Sequence, residues 1–385
     1  MRRALILDGC KWDPQVGDEA TLAPFPLFLR AGAWRELGAA AEALAREVLE
    51  AEEALRGSAP ALRALGIPAP LRRALCGPDP LTPTAARVMR FDFHWTEEGW
   101  RISEVNADVP GGYAEAWGLP RALAPHWPGA HPAGDPAALL CEAVARASGG
   151  GLVAVLVCPA FMEDYQVASA LAARLRALGG ETAILSPGQL RWSGREVAVH
   201  LGGRERLAGA LIRFVQGEWL VDLPRRTGWR RLIAGGRTPV TNPGQALIAE
   251  SKRFPLAWPL LRTPLRAWRR WLPETQDPRR VHWRDSDEWC LKAAFSNTGD
   301  AVLVPASLTR VERRRLSRDL WLHPGAWVAQ RRFSALTLPS PLGAVYPCLG
   351  VYVVDGRAAG IYGRLARRAL IDFSAIDVAV LVERE

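Results

Sequence analysis

The sequence predicts an α/β protein in which a parallel unit stands beside antiparallel hairpins, and three stretches carry that reading. "GGGLVAVLVCPA", "EDYQVASALAARLRALGG" and "TAILS" read as strand, helix and strand within about 35 residues, a parallel βαβ unit. "VYPCLGVYVVDG" and "RAAGIYGRLA" meet at Asp355-Gly356, a pair suited to a two-residue hairpin turn. "RFDFHWTEEGWRISEVN", residues 90 to 106, alternates like a second hairpin.

The remaining elements follow in order. Leu37, Ala41, Leu44, Val48, Ala51 and Leu55 recur at helical spacing within residues 34 to 57. A Pro- and Gly-rich stretch spans 66 to 84, and residues 115 to 147 read as helices on either side of "APHWPGAHPAGDP". A further strand is expected around Leu211 to Val215. From 241 to 335 the texture is mixed: a helix near Pro243 to Trp258, the strand "EWCLKAAF", the polar turn "SNTGDA" and the strand "AVLV". A basic helix and the strand "AWVAQRRF" complete it.

Composition narrows the function. With 385 residues, 49 % hydrophobic and 23 % charged, the chain is globular. No apolar run is long enough to cross a bilayer, and the start is too short in apolar residues for a secretory signal, so a cytoplasmic location is expected. Cys10, Cys76, Cys141, Cys158, Cys290 and Cys348 are scattered without a CxxC pair, which argues against a zinc site or redox dithiol. The net charge of +9 is concentrated in "PRRTGWRRL", "RTPLRAWRRW" and "RVERRRLSR", but no nucleic-acid-binding signature accompanies them, and solvated helix faces are expected.

One count is sharper. The chain has 46 arginines and only three lysines, Lys11, Lys252 and Lys292. Lysine is a compact point charge suited to phosphate oxygens, whereas arginine is a planar fork. Lys252 and Lys292 are therefore candidate nucleotide ligands.

The hairpin poses a question of charge. A three-residue loop, Glu97-Glu98-Gly99, pairs Thr96 with Trp100, His94 with Ile102, Asp92 with Glu104 and Arg90 with Asn106. Like charges directly opposite each other destabilise a sheet. Two carboxylates and a carboxamide oxygen are ligands that Mg²⁺ accepts, and Arg90 beside them could hold a phosphate oxygen. A solvated face with Arg90 neutralising the acids is the plain alternative. Lys292 on its strand, followed by Ser296-Asn297-Thr298-Gly299-Asp300, suggests a phosphate-holding turn. Arg364 in "GIYGRLARR" is another candidate for a phosphate.

Together these segments resemble the ATP-grasp ligases, specifically the synthetase domain of glutathionylspermidine synthetase and its single-domain relatives. The match lies in "RFDF", the twelve residues from Asp92 to Glu104, and "SEVNADVPGGYAEA", and extends in order from about residue 85 to the C-terminus. The resemblance implies a glutathione-synthetase-like ATP-grasp fold with an inserted parallel βαβ subdomain and a lid. The expected lobes are 1–147 with 336–385 for the metal and phosphate core, 148–240 for the βαβ substrate subdomain, and 241–335 for the ATP lid. It implies ATP and Mg²⁺ as cofactors, with Asp92, Glu104 and Asn106 as metal ligands. Arg90 and Arg364 would contact the transferred phosphate. Lys252, Lys292, Ser296, Asn297, Gly299 and Gln330 would hold ATP. Asp108 and the paired acids Glu163 and Asp164 would meet substrate, the acids holding a cationic amine.

The activity so implied joins a small-molecule or peptide carboxylate to an amine through an acyl-phosphate. An inactive or regulatory ATP-binding relative and a phosphotransferase on the same fold are the alternatives. The departures lie at Val109, Gly111 and Gly112, where the family carries substrate-touching hydroxyls, and at Leu365, where an acid commonly follows the late arginine. Glutathione and spermidine are therefore not assumed.

Overall fold

The structure is a computed structural model that describes residues 6–7, 11–12, 15–16, 19–284, 286–296 and 302–384. Its largest sheet runs in the order Leu22–Leu29, Ile376–Glu383, Arg357–Ala366, Gly343–Val354, Val88–Thr96, Gly99–Asn106. Leu22–Leu29 and Ile376–Glu383 are parallel and the other neighbours in that order are antiparallel. Asp355 (φ 46°) and Gly356 (φ 82°) make the expected tight turn between two of these strands.

The alternation of these strands sorts their side chains onto two faces. Phe91, Phe93, Leu349, Val351 and Ile361 point into the main apolar core. That core is closed by the helix Ala31–Leu55, whose buried stripe includes Leu37, Ala41, Leu44, Val48, Ala51 and Leu55. Phe91 and Phe93 meet Trp268 and Trp271 edge-on. The polar residues of the same strands fall on the opposite face.

A second sheet holds the parallel strands Thr182–Leu185, Leu152–Val157, Arg204–Phe214 and Val240–Thr241, with Glu196–Leu201 and Arg191–Ser193 added antiparallel. Met162–Ala177 is its crossover helix, and "TAILS" supplies the neighbouring strand. A third, antiparallel sheet contains Thr275–Gln276, Trp327–Arg331, Trp289–Ala293 and Val302–Leu303. The basic helix Arg310–Leu322 packs beside it and starts in a capping box made by Thr309 and Glu312. Among the described residues, no helix is long and apolar enough to cross a membrane.

Two local expectations need correction. The helix expected over Pro243 to Trp258 is three short pieces, Gly244–Ala246, Leu247–Glu250 and Phe254–Leu260, of which only the middle one is α. Ser251 is extended, and the Lys252 N–H leaves the helix to bond the Ala294 carbonyl at 2.9 Å. Pro255 and Pro259 supply no N–H with which to resume a long ladder.

The first hairpin turns on two residues, pairing Thr96 with Gly99 (φ 86°) and His94 with Arg101. Thr96 Oγ1 donates to the Gly99 carbonyl at 2.6 Å, closing the tighter loop. A bulge at Ser103 then restores the register, so Asp92 faces Glu104 and Arg90 faces Asn106 as the spacing suggests.

Candidate functional site

Sheet register builds the site. One row across four strands reads Glu104, Asp92, Gly350, Tyr362; the row on one side reads Asn106, Arg90, Tyr352, Gly360. On the other side, His94, Cys348, Arg364 and Asp377 line up. These rows are two residues apart on each strand, so their side chains share the face opposite the apolar core.

Asp92 is the hub. Arg90 donates to it from Nε at 2.8 Å and Nη2 at 3.0 Å, Arg364 from Nη2 at 2.7 Å, and Asn106 from Nδ2 at 3.2 Å. Burial alone would raise the Asp92 carboxyl, but Arg90 and Arg364 outweigh it and hold the group well below the usual carboxylate range. Gly350 makes the fork possible, because a Cβ there would sit 2.7 Å from Arg90 Cδ and 3.0 Å from Asp92 Oδ1. Arg90 Nη1 also donates to the Gly111 carbonyl at 2.7 Å.

Glu104 has a different partner. Lys252 Nζ lies 3.2 Å from its Oε2 and donates to the Ser296 carbonyl at 2.8 Å. Burial pushes Glu104 up, and Lys252 with Lys292 brings it below its ordinary value. Lys292 Nζ donates at 3.0 Å to the carbonyl of Ser103, the residue left out of the ladder by the bulge. The Ser103 hydroxyl meets His94 Nε2 at 3.0 Å. Gln330 is buried beside them, with Nε2 3.4 Å from Thr275 Oγ1.

Arg90, Asp92, Glu104, Lys292, Gln330 and Arg364 line a cavity of about 1180 Å³. The same cavity is also lined by Glu163, Asp164 and Glu218 and by Phe161 and Trp219, whose rings are 5.8 Å apart. Burial, then Glu163, raises Asp164 to about 6. Burial, then Asp108 and Glu250, raises Glu218 to about 8. Glu218 Oε2 and Gln216 Oε1 are buried without a hydrogen-bond partner.

Of the residues singled out from sequence, Arg90, Arg364, Asp92, Glu104, Asn106, Lys292, Ser296, Gln330, Glu163 and Asp164 line this cavity, and Lys252 reaches it through Glu104. Asp108 is engaged elsewhere: it accepts from both Nη atoms of buried Arg213 and from the Gly217 N–H at 2.6 Å. Asn297 and Gly299 lie outside the described residues. Glu218, Trp219, His94 and Tyr362 escaped the sequence reading. Tyr362 had a signal, since it is two residues before Arg364 on one strand and must share its face.

No protein-family model matches the chain, and no curated protein matches it in sequence. Among solved structures, a glutathione synthetase-like effector from Globodera pallida, in its apo form, superposes with a TM-score of 0.64. The match covers 93 % of this chain and 89 % of that one at 10 % identity. The chain has a glutathione-synthetase-like ATP-grasp fold. A candidate gamma-glutamylcysteine synthetase from Methylobacillus flagellatus gives a TM-score of 0.45 at 12 % identity, covering 82 % of this chain and 81 % of that one, too loose to carry an argument.

An ATP-grasp fold implies a Mg²⁺-bound nucleotide, and the residues can be tested for the fit. Among the described residues there is no cluster of three His, Cys, Asp or Glu side chains able to hold a metal alone. Asp92 and Glu104 are opposed by four cations, Arg90, Arg364, Lys252 and Lys292, which leaves positive charge in excess around them. Glu104 and Asn106, with Asp92 behind them, offer the oxygen donors that Mg²⁺ accepts. The charge count fits Mg²⁺ arriving with a polyphosphate better than the bare ion.

Proposed function

We propose that this chain is an ATP-dependent carboxylate–amine ligase of the glutathionylspermidine-synthetase type. The observation that carries the reading is that one cavity is lined both by the cations Arg90, Lys292 and Arg364 and by the acids Glu163, Asp164 and Glu218 with the rings of Phe161 and Trp219. A polyphosphate matches the cations, and a cationic amine matches the acids and aromatic rings.

The residues divide the work. Lys252 and Lys292 exchange their present partners, Glu104 with Ser296 and the Ser103 carbonyl, for phosphate oxygens of ATP. Gln330 lies at the buried edge that meets the base. Arg90 and Arg364 orient the γ-phosphoryl group and then the acyl-phosphate, with Asp92 fixing both guanidiniums. Glu104 and Asn106 would hold Mg²⁺ together with the nucleotide, and the ion would supply charge neutralisation on the phosphates. The substrate carboxylate attacks the γ-phosphorus and ADP leaves; the amine, having lost its proton, attacks the acyl carbon and phosphate leaves. Glu163, Asp164 and Glu218 hold the amine's remaining positive charge. Val109, Gly111 and Gly112 form the wall beside Arg90, which presents apolar and backbone atoms to the carboxylate substrate.

The test is an ADP-release screen of carboxylates crossed with amines, read by mass spectrometry. Release of ADP with an amide product is expected, strongest with amines carrying a second cation. A stable phosphorylated product would assign a phosphotransferase, and ATP binding without turnover in any pair would assign a regulatory binder.

A further inference from the structure

Tyr362 stands where two guanidiniums need support. Its ring lies 5.3 Å from Arg90 Cζ and 5.2 Å from Arg364 Cζ, and it lines the cavity. The two cations repel each other, and Asp92, their shared carboxylate, occupies three of their N–H groups. An aromatic face attracts both through its quadrupole without consuming another donor. Asp92 engages Arg364 through Nη2 alone, so N–H groups of this guanidinium are left for an anion.

The ring itself is fixed. Tyr362 Oη donates to Asp377 Oδ1 at 2.6 Å. Lys11, the third lysine of the chain, lies 3.3 Å from Asp377 Oδ2 and 2.6 Å from Glu115 Oε1, all of them buried. The ring also packs against Gly112, at φ 88°, where a Cβ would lie 2.6 Å from Tyr362 Cδ1. The glycine that replaces a family hydroxyl residue is therefore required by the ring.

We infer that Tyr362 is a positioning residue that sets Arg90 and Arg364 as a paired receptor for the terminal phosphate. The inference rests on the nucleotide reading above, and the experiment separates the two. Wild type, Tyr362→Phe and Tyr362→Leu are titrated calorimetrically with the Mg²⁺ complexes of ADP and of a non-hydrolysable ATP analogue, and with inorganic pyrophosphate. Tyr362→Met serves if the leucine variant does not fold, as judged by its melting curve.

Loss of the π face is expected to weaken the ATP analogue about tenfold while leaving ADP within about twofold. Tyr362→Phe, which keeps the ring, is expected to retain most of the difference. Equal weakening of both nucleotides, as a merely structural role would give, overturns the inference, as does no change in either. If wild type binds pyrophosphate but no nucleotide, the nucleotide reading falls. A tenfold loss of pyrophosphate affinity in Tyr362→Leu then still supports the receptor, and an unchanged affinity overturns it. Failure of wild type to bind any of the three overturns both.

Discussion

Asp92 shows how two facing carboxylates are tolerated. The repulsion expected across the hairpin is removed by protein cations, Arg90 and Arg364 on Asp92 and Lys252 on Glu104. Replacing Asp92 by Asn leaves the buried Arg90 and the part-buried Arg364 guanidiniums without their carboxylate, a change that costs about 3–5 kcal/mol in buried ion pairs. Because the folded carboxyl is depressed below its ordinary 3.8, its contribution is full at neutral pH and is lost as pH falls through that value and below. Denaturant titrations should show wild type well above Asp92→Asn at pH 7, with the gap narrowing below about pH 4. A gap independent of pH would deny the ion-pair account. Gly350→Ala tests the same fork sterically: the added methyl meets Arg90, and a loss of about 1–3 kcal/mol with weakened binding of the ATP analogue is expected.

At the level of elements, local chemistry was legible and tertiary compensation was not. Asp355-Gly356 could be read because both positive-φ positions belong to residues that tolerate them. Gly356→Ala meets nothing within 4 Å, so its expected cost of about 1 kcal/mol by thermal melting is backbone strain alone. The βαβ unit was legible from its change of period. The Ser103 bulge was not, because its reasons are remote: Lys292 takes the freed carbonyl and His94 the hydroxyl. The pairing of Asp92 with Glu104 came out right even so, since a shorter loop and a bulge offset each other by one residue. The break at Ser251 was hidden for a similar reason: the Lys252 amide bonds a strand end some forty residues later. Glu218 gave no signal in sequence, as its neighbours Asp108 and Glu250 are distant along the chain.

The whole molecule handles charge in two ways. Part of its arginine excess rests on its own tryptophans: Arg230 on Trp229, Arg231 on Trp192, Arg269 on Trp258 and Arg270 on Trp271, all within 5.8 Å of the ring centre. Inside, buried acids set the response to pH. Burial, followed by neighbouring carboxylates, lifts Glu218 to about 8, and burial with Asp108 lifts Glu250 to about 7. Asp164 and Asp377 are raised to about 6. Arg213 and Lys252 only partly offset the crowding around Glu218 and Glu250. A raised acid binds its proton more tightly folded than unfolded, so stability falls as pH rises from the unfolded value through the folded one. His94, lowered to about 4 mainly by burial, acts in the opposite sense, but only below about 6.5. Between pH 6.5 and 9 the acids therefore govern, and the melting temperature should drop by roughly a few °C. Glu218→Gln should flatten that slope, because it removes the acid whose window reaches furthest. A short alkyl diamine bound beside Glu163, Asp164 and Glu218 would offset the released charge, so it should raise the melting temperature more at pH 8.5 than at pH 6 in wild type, and less in Glu218→Gln. A diamine effect equal at both pH values would place the amine elsewhere.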